Sequence, residues 1–208
     1  MDTERDDTPF RSPYHRALDT LSSIAVRRTW LVVTVALLVS SSAACQLSAP
    51  AGRYDKDGIA FEHLAGWRVV KDTQQTARTI IVEGPEHAVI TLSVFPPNLN
   101  VSLDTFINAA TKARAAGVKE KLKVAGGAET DTTSTTPAER SILGARVSGL
   151  EQHFAVELLN ARVPHTVEYF LTKTGSRTMI FMDQVPDQHR GDVDAGFQRI
   201  FDTVEVAR

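Results

Sequence analysis

The chain has 208 residues, with 23 Lys+Arg against 25 Asp+Glu and a formal net charge of −2. A balance this close to neutral gives no electrostatic footprint for phosphates, so no nucleic-acid partner is expected. A single cysteine excludes an internal disulfide, and the length suits one domain with a real core.

Met1 to Val26 is polar and carries charge of both signs. Arg27-Arg28 then form a positive n-region, Trp30 to Val39 an apolar h-region, and Ser40 to Ala44 a run of small residues ending at Cys45. An apolar core of that length belongs to a signal peptide, because a spanning helix needs roughly 17–25 apolar residues. Ser42-Ala43-Ala44-Cys45 resembles the lipobox of bacterial lipoproteins, although that family usually has leucine where this chain has Ser42. The resemblance implies that the chain is cut before Cys45, that the Cys45 sulfur is lipidated, and that the protein is held to a membrane by its acyl chains. Several chains on one cysteine make such an anchor durable, since one alone binds only marginally. Gln46 resembles the pattern that releases lipoproteins to the outer membrane, facing the periplasm, if the host has two membranes. Otherwise the outer face of the cell membrane is expected. The competing readings of Cys45 are a plainly secreted protein cut at an Ala-x-Ala-like site and an uncleaved anchor. The polar stretch ahead of the arginines fits either a translation start near Val26 or a twin-arginine leader at Arg27-Arg28-Thr29-Trp30-Leu31. The chain therefore divides into a cytoplasmic n-region or misplaced start (1–28), h-region and lipobox (29–44), lipidated tether (45–56) and folded domain (57–208).

Gln46 to Lys56 mixes Ser, Pro, Gly and charge, as a tether does. Ile59 and Phe61, then Trp67 and Val69, suggest two short strands about a turn at Ala65-Gly66. Arg78 to Glu83 is β-branched and stops at Gly84-Pro85, and Ala88 to Phe95 alternates until Pro96-Pro97. Ser102 is an expected N-cap for a helix carrying Leu103, Phe106, Ile107 and Ala110 on one face, with Gly117 expected just past its end. The pattern leaves Gly126 to Arg140 undecided, and Thr130 to Thr136 reads equally as an edge strand or a loop. Three alternating strands follow around Phe154–Leu158, Val163–Leu171 and Thr178–Val185, with links short enough for hairpins, which predicts an antiparallel meander. The last two carry apolar residues on both faces and so require cover on both sides. Val193, Phe197, Ile200, Phe201 and Val204 form one stripe of a closing helix.

The order of elements, with Gly-Ile-Ala-Phe…Gly-Trp-Arg-Val (Gly58 to Val69), Ser-Leu-Asp-Thr-Phe (Ser102 to Phe106), Leu-Gly-Ala-Arg-Val (Leu143 to Val147) and Phe-Gln-Arg-Ile-Phe-Asp-Thr-Val (Phe197 to Val204), is similar to the PsbP-like superfamily. That superfamily includes the extrinsic photosystem subunit, Mog-type Ran-binding proteins and many small bacterial lipoproteins. The resemblance implies an α+β fold, an antiparallel sheet of about six strands sandwiched by helices. It implies no shared active site.

Residues able to carry chemistry are sparse. Trp67 reads as a core residue. His63, His87, His153, His165 and His189 lie on different elements, and a tight hairpin about Arg162 sets His165 near Leu158 and keeps it from His153, so no metal pair is expected. Asp192-Val193-Asp194 lacks the rest of a calcium loop and reads as acidic residues at a helix N-terminus. Gly126-Gly127 lacks the Lys-Ser/Thr of a phosphate loop, and no Gly-x-Ser-x-Gly elbow occurs. Lys112, Arg114, Lys119, Lys121 and Lys123 read as a solvated helix face. The expectation is a non-enzymatic, lipid-anchored envelope protein without cofactor or metal. It acts as a protein-binding scaffold or assembly factor on an envelope partner, with the Thr130–Thr136 edge as a contact. The alternatives are a carrier of a small apolar ligand and an undetected hydrolase.

Overall fold

A computed structural model describes residues 50–125, 128–130, 135–158 and 161–207, with side chains for 50–116, 135–157 and 161–207. Cys45, its leader and Gly126-Gly127 lie outside these residues. The elements in chain order begin with β1 (Gly52–Lys56), β2 (Ile59–His63), β3 (Arg68–Gln74), β4 (Arg78–Glu83) and β5 (Val89–Phe95). Helix α1 (Leu103–Ala125) precedes β6 (Ala128–Thr130), β7 (Thr136–Ile142), β8 (Ala145–Leu158), β9 (Ala161–Thr174) and β10 (Arg177–Pro186), and α2 (Arg190–Thr203) and β11 (Glu205–Val206) close the fold.

The main sheet is antiparallel, with strand order β3-β4-β5-β10-β9-β8-β6 and β7 also paired to β8. The β8-β9-β10 meander is present as its short links require. The side-chain period of two sends alternate residues to opposite faces. Along β9, Tyr169 meets Phe106 of α1, while Phe170 meets Phe201 of α2. The fold is therefore α+β, an antiparallel sheet with a helix on each face. It is wider than the expected six strands, having eight, and a separate sheet of order β1-β2-β11 packs beside α2.

Three local expectations are corrected. Gly52–Lys56, read as the end of the tether, is strand β1, joined to β2 by a two-residue turn with Asp57 and Gly58 both at positive φ. That is the Asp-Gly geometry favoured in tight hairpins, so the folded body begins ahead of residue 57. Helix α1 begins where expected, with Ser102 Oγ accepting the Thr105 N–H at 3.2 Å, but runs through Gly117 to Ala125. One glycine costs about 1 kcal/mol and does not stop a helix whose neighbours favour it. The β8–β9 hairpin pairs Leu158 with Ala161, so its turn precedes Arg162, and His165 stands opposite Phe154.

Trp67 fulfils its core assignment. It is buried, meets Phe197 edge-on at a centroid distance of 5.1 Å, and lies between Gly84 and Gly196. A Cβ at Gly196 would stand 2.2 Å from the indole, and one at Gly84 would stand 2.7 Å away.

Candidate functional site

At the end of the sheet where β3 finishes and β4 starts, the β1–β2 turn overhangs a cleft of about 460 Å³. Its anchor is Arg78, the first residue of β4, which is buried. Arg78 donates from Nε to Asp72 Oδ1 and from Nη2 to Asp72 Oδ2, both at 3.0 Å. It also donates from Nη2 to the Tyr54 hydroxyl at 2.8 Å and from Nη1 to the Asp57 carbonyl at 3.0 Å. The forked guanidinium matches a carboxylate in two bonds, which locks the turn onto the strand. Tyr54 and Lys56 each donate to Asp72 Oδ2, at 2.8 and 2.9 Å.

These contacts set the protonation states. The hydrogen bonds from Arg78 hold the Asp72 carboxyl well below the usual carboxylate range against the opposing effect of burial. Burial, and then the bond to Asp72, pushes the Tyr54 hydroxyl up to about 12. Arg78 and Asp72 are thus committed to each other. The groups that can meet a ligand are Arg177 at the start of β10, Gln74 and Lys56, the last already paired with Asp72, beside apolar surface from Val94, Phe95, Pro96 and Pro97.

A second ionic cluster lies under α2. Asp183 is fully buried and accepts from Arg190 Nη1 at 2.7 Å. Glu168 accepts from Arg140 at 2.7 Å and also pairs with Arg190, and Arg140 donates to Asp194 at 2.9 Å. Burial, opposed by Arg190, raises the Asp183 carboxyl well above the usual range. Both guanidinium groups lie over aromatic rings, Arg140 at 5.3 Å from Phe201 and Arg190 at 5.5 Å from Phe197. This cluster fastens the N-terminal half of α2 to β7, β9 and β10. Asp194, assigned from sequence to a helix N-terminus, is one of its members, and Asp192 does lie in the first turn.

The opposite end of the sheet carries His153, His165 and His189, each with partners of its own. His153 Nδ1 meets Thr166 Oγ1 at 3.1 Å, and that hydroxyl donates to Asp187 at 2.8 Å. His189 lies 3.3 Å from Glu86 and 3.4 Å from Asp192. His153 pairs with Thr166 and His165 with Phe154, so the two histidines are close in register yet on opposite faces. His165 is buried, its ring stacked on Phe154 at 4.9 Å, and burial lowers its pKa. No group of three or more His, Cys, Asp or Glu with metal-binding geometry occurs among the described residues.

Arg114 corrects the reading of the lysine-rich helix as wholly solvated. It is buried on the sheet-facing side of α1, 4.2 Å above the Phe154 ring and 3.3 Å from the Tyr169 hydroxyl. Sequence spacing carries a signal for this, since Arg114 falls at i+4 from Ala110 and i+7 from Ile107 on the apolar face. The cleft had only one legible component, the Asp57-Gly58 hairpin signal. No helix among the described residues is long and apolar enough to cross a membrane.

No protein-family model and no curated protein matches the chain. Among solved structures it is similar to the cyanobacterial PsbP (CyanoP) of Synechocystis, with 11% identity and a TM-score of 0.43, over 80% of this chain and 98% of that one. It is also similar to a protein from Bacteroides thetaiotaomicron, with 12% identity and a TM-score of 0.43, over 76% of this chain and 49% of that one. A third is LpqN of Mycobacterium tuberculosis, a protein involved in cell envelope biogenesis, with 8% identity and a TM-score of 0.33, over 76% of this chain and 91% of that one. At these identities the likeness concerns the fold and assigns no chemistry.

Proposed function

We propose that the protein is a lipid-anchored component of the cell envelope whose PsbP-like domain is non-catalytic and acts as a protein-binding scaffold or assembly factor. The observation that carries the binding role is the filling of both sheet faces by side chains of α1 and α2, which leaves edges, ends and loops as working surface. Anchoring is argued from the leader and from Cys45, which lies seven positions ahead of the first strand. At roughly 3.3–3.6 Å per residue, that tether holds the body within about 25 Å of its acyl chains. A partner is met by strand addition along the β6–β7 edge. Thr130 and Thr136 each spend one backbone edge on β8, and residues 131–134 lie outside the described residues. The opposite edge, β3, is guarded by a register shift between Val69 and Lys71 and by the charges of Arg68, Lys71 and Asp72, devices that discourage indiscriminate pairing.

The second reading, a carrier, is favoured by the size of the cleft, which falls within the roughly 300–1,000 Å³ of ligand sites. Its charged wall lies at strand ends rather than between sheet and helix, so the cargo is polar or amphiphilic and not simply apolar.

Membrane fractionation of wild type and Cys45→Ala tests the anchor. The wild type is expected in membranes with acyl mass on the thiol, and the variant is expected to leave them with its leader uncut. In-cell crosslinking from β7 is expected to capture one envelope protein. Retention of Cys45→Ala in membranes to the wild-type extent overturns the anchor, and absence of any crosslink overturns the scaffold. Active-site labelling of a serine would establish a hydrolase instead.

A further inference from the structure

We infer that the cleft between the β1–β2 turn and the β5 terminus is a binding site for a small amphiphilic anion, with an apolar body of a few carbons and one carboxylate or phosphate. This goes beyond the scaffold reading and does not rest on it. Three cations and two carboxylates line the cleft, Lys56, Arg78 and Arg177 against Asp57 and Asp72, leaving one positive charge in excess. Arg78 and Asp72 cancel within their two-bond pair. Asp57 is 74% exposed and lies 3.5 Å from Arg78 Nη2, at the rim.

Arg177 is what remains. Its side chain has no hydrogen-bond or ion-pair partner among the described residues, and it is partly buried rather than free in water. A partly desolvated guanidinium facing a cleft is a strong donor to an anion, because water competes less with it. Lys56, 2.9 Å from Asp72, stands on the turn across the cleft and adds a second cation.

The rest of the lining selects the body of the ligand. Ile59 and Val94 are buried beneath the cleft, with Phe95 at its edge. Pro96-Pro97 form a wall with no N–H to satisfy and with φ already fixed, so this apolar surface is preorganised. An anion with no carbon body leaves that surface wet. A neutral amphiphile leaves Arg177 unpaired. Two sources supply the required chemistry, a free organic acid or phosphate and the headgroup of an anionic lipid.

The test uses the purified full chain with methyl-labelled Ile and Val, titrated with octanoate, with octanamide as its neutral counterpart, and separately with phosphatidylglycerol vesicles. Octanoate is expected to shift Ile59 and Val94, octanamide to shift them far less, and Arg177→Ala to weaken octanoate about tenfold. Arg177→Lys is expected to retain part of the affinity, and Arg199→Ala, on the α2 side, all of it. The Arg177 side chain is partly exposed and has no partner among the described residues, so its removal is expected to leave the fold intact. Shifts from vesicles alone, lost in Arg177→Ala, identify a lipid headgroup as the source and uphold the site. Equal binding of octanoate and octanamide, unchanged affinity in Arg177→Ala, or no shift from either source overturns it.

Discussion

The two faces of the main sheet are built on different chemistry. Under α2 the packing is aromatic and close, with Phe170 and Phe181 meeting Phe201 edge to face at 6.0 and 5.2 Å, Phe197 meeting Trp67 at 5.1 Å, and Trp67 set between two glycines. Its charges sit at the helix N-terminal half, in the Asp183–Arg190–Glu168–Arg140 cluster. Under α1 the polar groups enter the packing itself. Arg114 lies over Phe154, Tyr169 donates to Gln152 at 3.2 Å, and Thr111 donates to the same Gln152 oxygen at 3.1 Å. Both faces gain stability from surface removed from water, the α2 face from the larger apolar cluster, while the α1 face adds hydrogen bonds worth about 1 kcal/mol each. The α2 face is therefore expected to contribute more to stability.

The sharpest test of this difference is truncation on each side. Phe197→Ala is expected to cost about 4 kcal/mol in urea unfolding and Ile107→Ala about 2 kcal/mol, the ranges for buried aromatic and aliphatic losses. Equal costs would break the comparison. Arg190→Ala is expected to cost about 3 kcal/mol at pH 7, because it strands a buried Asp183. Asp183 is raised above its unfolded value, so the native state takes up its proton first as pH falls. The penalty in the variant should accordingly shrink from pH 7 towards pH 5, and a pH-independent penalty would remove Asp183 from the explanation. Gly196→Ala is expected to cost about 2 kcal/mol by forcing Trp67 aside, with a matching change in its near-ultraviolet signal. On the α1 face, His165 is lowered below its unfolded value by burial, so the unfolded chain binds protons first and stability is lost as pH falls below about 6.5. His165→Phe keeps the stack on Phe154 and should flatten stability between pH 7 and 5. An unchanged slope would show that other histidines set it.

Much of the frame is legible from residue periodicity. Arg78–Glu83 coincides with β4, the apolar stripe from Val193 to Val204 with the buried side of α2, and the expected antiparallel meander with the pairing of β8, β9 and β10. Asp57-Gly58 marks the β1–β2 hairpin, but the Ser, Pro and charge before it have the composition of a tether and mask a strand that is mostly exposed. The register of β8 on β9 was not legible, because Arg162 reads as a turn residue and only pairing shows it opposite Glu157. The cleft was less legible still. Its cations come from β1, β4 and β10, which are adjacent only once the small sheet docks on the large one.

Residue types and their spacing determined the alternation of the strands and the demand for a helix on either side of them, since these follow from local geometry and the cost of exposing apolar surface. Tertiary structure alone decided which polar groups go inside. Arg78 and Asp183 have nothing in their immediate sequence to distinguish them from surface charges, and each is buried because a partner on the next element of the fold, Asp72 on β3 and Arg190 on α2, compensates its desolvation.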